Sequence, residues 1–191
     1  LEPFDFETFY NYDGQFLIVT TDCNTAEPIY FDMKDCNTNE DLLTVIRASS
    51  SLPFIAPIVD FKGFKLLDGG VVDPIPIKKS IADGNKKNLI ILTRNKDYSK
   101  SPFKHKWLAK LIYRKYPNLV QALEERYKVY NKTLDYIEEL EEDNRAYVIR
   151  PKKPLEVDRI EKDEDKLTDL YHQGYNQAAK VYSDLMAYLE S

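Results

Sequence analysis

Short runs of β-branched and apolar residues alternate along this chain with longer stretches whose apolar residues recur every three or four positions. That alternation constrains the fold more than any other feature, because strands and helices that take turns along a chain build layered α/β domains. Residues 15–21 read as a buried strand. Pro28-Ile29-Tyr30-Phe31 returns as a second strand across the turn-forming Asn24-Thr25-Ala26-Glu27. Thr38 can cap a helix whose first turn carries Glu40 and Asp41 and on which Leu42, Leu43 and Ile46 share a face. Pro53 disfavours helical geometry just before it, so that helix should stop within Ala48-Ser49-Ser50-Ser51.

A hairpin is expected next, Ile58-Val59-Asp60-Phe61 and Phe64-Lys65-Leu66-Leu67 turning at Lys62-Gly63, and Asp68-Gly69-Gly70 breaks its second strand. A short helix over residues 77–82, closed by Gly84, leads to residues 88–93, a continuous apolar run of the kind buried inside a parallel sheet. Pro117 suits a first helical position, and Val120, Leu123, Tyr127, Tyr130, Leu134 and Ile137 follow at steps of three and four. Residues 146–150 form a short strand stopped by Pro151. A last helix from about Glu164 to Leu189 gathers Leu167, Leu170, Tyr171, Tyr175, Ala178, Tyr182, Leu185 and Leu189 on one side, where the tyrosines are expected to be core or core-rim residues. No repeat or linker divides residues 1–191, so a single domain is expected, and the opening Leu1-Glu2-Pro3 reads as the cut end of a longer protein.

Composition narrows the function classes. The net charge of −5 argues against nucleic acid as a partner. No apolar run approaches the length of a membrane span. Cys23 and Cys36 stand in no zinc-ligand spacing, and spacing leaves open whether they pair or remain free thiols. His105 and His172 are far apart in sequence and read as surface or helix-face residues, so no metal is expected.

The residues with chemical promise are Asp68, Gly69 and Gly70. A carboxylate at the end of an apolar strand sits on the rim of a sheet, where open α/β folds place their ligands. The paired glycines permit positive φ and a close approach of another segment. By itself the tripeptide reads as a turn, since Asp-Gly is among the commonest turn dipeptides. Its surroundings say more. Arg47-Ala48-Ser49-Ser50-Ser51-Leu52-Pro53, a hairpin, and then Leu67-Asp68-Gly69-Gly70-Val71-Val72-Asp73-Pro74-Ile75-Pro76 form a composite pattern. In order and spacing it resembles the patatin-like phospholipases, in particular their bacterial branch of serine hydrolases. Thr21-Asp22-Cys23-Asn24-Thr25-Ala26-Glu27-Pro28, Tyr116-Pro117-Asn118 and Val148-Ile149-Arg150-Pro151 are similar to that branch as well.

The resemblance implies a three-layer α/β/α sheet, of which this chain is the C-terminal portion. It also implies a carboxylic ester hydrolase acting on (phospho)lipids through a Ser–Asp dyad, with neither metal nor organic cofactor. In that family a serine within G-x-S-x-G attacks the ester, an aspartate of a D-G-G/A motif activates it, and a glycine-rich loop stabilises the oxyanion. The aspartate maps to Asp68, with Gly69 and Gly70 as motif support. No glycine here forms G-x-S-x-G with any serine. The nucleophile and the oxyanion loop are therefore expected upstream of Leu1, and residues 1–191 alone should be inactive. Ser49, Ser50 and Ser51 read as helix-end capping residues.

A second class of function competes with the first: a non-catalytic lipid-binding or scaffold module derived from that fold. Lys104, Lys106, Lys110, Arg114 and Lys115 surround Trp107, Leu108, Leu111 and Ile112 at helical spacing. This segment either rests on an anionic membrane through Lys106, Trp107 and Lys110, or packs its apolar side on the core and solvates its lysines. The expected location is cytoplasmic, with peripheral membrane contact in the first case. A cut sheet would expose strand edges, so self-association or pairing with a missing N-terminal part is expected.

Overall fold

The computed structural model describes residues 4–157 and 161–191. In chain order its elements are α1 (Phe6–Tyr10), β1 (Leu17–Asp22), β2 (Pro28–Asp32), α2 (Asn39–Ser49), β3 (Val59–Phe61) and β4 (Phe64–Asp68). There follow α3 (Ile77–Ala82), β5 (Asn88–Ile91), α4 (Lys106–Ile112), α5 (Pro117–Glu142), β6 (Ala146–Ile149) and α6 (Glu164–Glu190). They form two compact units, one running to Pro76 and resuming over Lys100–Lys132, the other made of Ile77–Ser99 and Thr133–Ser191.

The first unit is built on a four-stranded sheet of order β2-β1-β4-β3, antiparallel throughout. Two hairpins make it. The β1–β2 turn is held by the buried Asp22 carboxylate, which accepts from the Thr25 amide at 3.2 Å and its hydroxyl at 3.0 Å. The β3–β4 turn is the expected Lys62-Gly63, with φ of 48° and 84°, the left-handed pair that matches strand twist in a two-residue loop. Successive residues of a strand face opposite ways. Thus Leu66 joins Ile18, Phe31, Leu42, Val45, Ala48 and Val59 under α2, while Leu67 joins Cys23, Val71, Ala109, Tyr113, Leu119 and Leu123 under α4 and the start of α5. Helix, sheet and helices are stacked as three layers, the mixed α/β architecture expected.

Thr38 caps α2, its hydroxyl accepting from the Asp41 amide at 3.1 Å. The buried face of this helix is Leu42, Val45 and Ala48, however, and Leu43 and Ile46 are exposed. A one-residue rotation of the seam lets the small Ala48 approach the sheet. In α5 the expected Val120, Leu123 and Ile137 are buried, while Tyr127, Tyr130 and Leu134 are only half-buried; Leu119, Thr133 and Leu140 are buried as well, and Arg126 falls on that seam.

In the second unit β5 and β6 pair in parallel, Asn88 opposite Ala146 and Ile91 opposite Ile149. The run over residues 88–93 is not buried throughout: Asn88 and Ile90 are buried, whereas Leu89 and Ile91 face outward. A two-stranded sheet with one covered face can bury only alternate residues. Tyr188 of α6 reaches the strand end, its hydroxyl accepting from the Asn88 amide at 3.0 Å. Tyr171, Tyr175 and Tyr182 are exposed, against the expectation that they lie in or beside the core. Only the end of α6 supplies a buried residue, Tyr188, so its earlier turns keep their aromatic rings in solvent.

Candidate active site

Asp68 ends β4, and its backbone is tied on three sides. It stands opposite Thr20 in the β1 ladder. Its amide donates to the Ser51 carbonyl at 3.0 Å, and its carbonyl accepts from the buried Thr21 hydroxyl at 2.8 Å. The side chain is half-buried. Oδ1 accepts from the Gly70 amide at 2.7 Å and caps a single 3₁₀ turn, Gly69–Val71; among the described residues Oδ2 accepts no hydrogen bond. A carboxylate oriented through one oxygen retains the other as an acceptor for an incoming hydroxyl.

The two glycines are required by space, not by φ, since the positive-φ glycines of the described chain are Gly63 and Gly84. A Cβ at Gly69 would stand 2.6 Å from the Val19 carbonyl carbon and nearer still to its oxygen. That neighbour is backbone in the central strand and cannot yield. At Gly70 a Cβ would lie 3.1 Å from Asp68 Oδ1 and 3.2 Å from Arg126 Nη2, in the gap between carboxylate and guanidinium. Arg126 also donates from Nε to the Gly70 carbonyl at 2.6 Å. The motif therefore has a cationic brace from α5. Just beyond it, the Tyr30 hydroxyl donates to Asp73 Oδ2 and anchors the Asp73-Pro74 segment to β2.

Arg126 was not singled out from sequence, and Thr21 only as the first residue of a longer segment, with no role of its own. For Arg126 a signal existed: it occupies a position three after Leu123 and seven after Leu119, a cation on an apolar seam. Thr21 gave none, being one more β-branched strand residue. The serines behave as expected for a helix end. Ser50 Oγ donates to the Ile46 carbonyl at 3.0 Å and Ser51 Oγ to the Arg47 carbonyl at 2.8 Å. Ser51 is joined to Asp68 by its main-chain carbonyl, and its hydroxyl, like that of Ser50, is given to a helix carbonyl.

The thiols are free and buried. Loss of hydration, reinforced by the Asp22 and Asp60 carboxylates, pushes Cys23 up to about 12, and burial raises Cys36 as well. Neither is a reactive thiolate at neutral pH. Among the described residues no group of His, Cys, Asp and Glu could hold a metal ion.

Residues 5–81, which carry β1 to β4 and the whole Asp68 turn, match one protein family. It is the patatin-like phospholipases. This is a family of hydrolases, and the region matched contains Asp68, Gly69 and Gly70. Residues 116–190 match a separate family described as a domain of unknown function, DUF6363. The chain is similar to the uncharacterized protein YjjU of Escherichia coli strain K12, 35% identical over 123 residues, which cover 62% of the chain and 34% of that protein. It is also similar to lysophospholipase NTE1 of Scheffersomyces stipitis, 26% identical over 174 residues, 84% of the chain and 11% of that protein. The chain thus spans about a third or less of the length of these relatives.

Proposed function

We propose that this chain is the aspartate-bearing segment of a patatin-like acyl hydrolase, acting on carboxylic esters of lipids through a Ser–Asp dyad. The observation that carries the reading is the state of Asp68. It lies in the patatin-like region, its backbone is fastened to β1 and to the end of α2, and one carboxylate oxygen is committed to the turn while the other is unused. The likeness to a lysophospholipase supports a lipid ester as the substrate class.

In this mechanism a serine from outside residues 1–191 donates its proton to Asp68 Oδ2 as its Oγ bonds to the ester carbonyl carbon. The tetrahedral intermediate collapses with cleavage of the carbon–alkoxy bond, and the departing alcohol takes the proton back from Asp68. Water then attacks the acyl-serine with Asp68 again as base, releasing the fatty acid and restoring the serine. No metal or organic cofactor enters these steps.

The intact protein is expected to hydrolyse a lysophospholipid or short-chain ester, and Asp68→Asn to reduce kcat by about 10²–10⁴-fold, the usual contribution of a positioned base. Residues 1–191 alone should show no turnover. Hydrolysis by residues 1–191 that survives Asp68→Ala would overturn the assignment.

A further inference from the structure

The sequence left two uses open for the basic helix α4, core packing or contact with a membrane, and the structure divides its apolar residues between them. Ala109 and Tyr113 are buried against the sheet, whereas Trp107 is 66% exposed, Leu111 64% and Ile112 50%. Core packing therefore accounts for one stripe of the helix and leaves the largest apolar side chains in water. Large apolar residues grouped in solvent mark an interaction surface.

A second segment packs against the end of this helix. Phe54 has φ 72°, a left-handed conformation unusual for a bulky residue. It is held there from the α4 side: its amide donates to the Tyr113 hydroxyl at 2.8 Å, and its ring packs on Tyr113 at 5.3 Å and stacks on Phe103 at 5.5 Å. The next residue, Ile55, is 67% exposed. Tyr113 thus couples the loop that presents Ile55 to the helix that presents Trp107 and Leu111. The loop begins one residue after Ser51, whose carbonyl receives the Asp68 amide.

Charge identifies the occupant. Residues 100–115 hold six lysines and arginines and no carboxylate, a charge of +6, while the remainder of the chain carries −11, together the net −5. Lys106 and Lys110 are partly neutralised by Glu124, at 3.2 and 3.8 Å. Lys104, Arg114 and Lys115 are exposed as well. A basic rim around exposed tryptophan and aliphatic residues complements an anionic lipid surface, where the indole sits at headgroup level and the lysines meet phosphates.

We propose that α4 and the Leu52–Ala56 loop form a docking surface for an anionic lipid bilayer, with Trp107, Leu111 and Ile55 entering the headgroup region. The proposal does not depend on whether Asp68 serves a serine. In a lipid hydrolase it would bring the Asp68 side of the sheet to its substrate.

Trp107 is the only tryptophan of the chain, so its fluorescence reports on this surface directly. With vesicles of phosphatidylcholine containing phosphatidylglycerol, its emission should shift to the blue and be quenched by brominated acyl chains. Pure phosphatidylcholine should produce much less. Added salt should weaken binding, and Lys104→Glu with Arg114→Glu should lower partitioning by at least about tenfold, since each cation near such a surface contributes on the order of fivefold. Leu111→Ser with Ile112→Ser should abolish the shift with unchanged circular dichroism. Asp68→Asn should leave it intact, so that failure of docking and failure of the catalytic reading are told apart. The proposal is overturned by an unshifted emission with anionic vesicles, by an equal shift with neutral ones, or by sedimentation with vesicles in which brominated lipid does not quench Trp107.

Discussion

Asp68 illustrates how a turn residue is made into a candidate base. Its Oδ1 does what any Asp-Gly turn would ask of it, capping the amide two residues on, and the unusual feature is how little freedom the rest of the residue retains. The two glycines following it should respond differently to substitution. Gly69→Ala forces a methyl group into the β1 backbone and is expected to destabilise by about 2–4 kcal/mol in urea denaturation, the range of severe overpacking. Gly70→Ala meets only two side-chain ends and should cost about 1 kcal/mol or less; under the proposed dyad its larger effect is expected on ester turnover by the intact protein, because the intruding methyl displaces Asp68 and Arg126. Arg126→Ala removes a charge-assisted bond to the Gly70 carbonyl, so faster hydrogen exchange over residues 69–72 is expected, with partial recovery in Arg126→Lys.

At the scale of elements, the helices differ in what they contribute. Helix α2 is fixed by its cap and by three buried residues, and Thr38→Ala should cost about 1 kcal/mol by chemical denaturation. Helix α6 is long but attached by few residues. Tyr188→Phe deletes the hydroxyl that receives the Asn88 amide and is expected to cost about 1 kcal/mol, whereas Tyr171→Ser and Tyr175→Ser should each stay within about 0.5 kcal/mol of wild type. The same contrast distinguishes the two strand pairs. Strands β1 and β4 have both faces covered, so Leu67→Ala should cost about 2–5 kcal/mol, while Ile91→Ala, on the open face of β5, should cost far less.

For the whole molecule, stability should depend on alkaline pH through Cys23. Its folded-state value is raised to about 12 from the ordinary 9.0. A raised value means that the folded chain holds the proton more tightly than the unfolded one. The stabilisation is therefore complete below about pH 9 and is lost as pH rises toward 12. Denaturation midpoints should fall over that window, and Cys23→Ala should flatten the dependence at the cost of a uniform offset. The thiol should be unreactive to a disulfide reagent at neutral pH in the folded protein and reactive after unfolding.

Most element boundaries were legible in the residues themselves, because local chemistry sets them: Thr38 and Pro117 start helices, Lys62-Gly63 turns a hairpin, and Asp68 stops a strand. The α/β class followed from alternation of the two apolar periods, and Asp68 stood out through its motif. What local chemistry does not contain is which of several apolar stripes is covered. Leu43 or Ala48, Tyr171 or Tyr188, Trp107 or Ala109: each pair has similar claims by periodicity, and only the position of the sheet determined that the second was buried. The same holds for Arg126, remote from Gly70 in sequence, whose role as a brace arises only when α5 lies over the sheet. Sequence therefore determined the elements and the candidate base. Tertiary structure decided its bracing and which apolar residues of α4 remain in water, because burial belongs to pairs of surfaces and not to single residues.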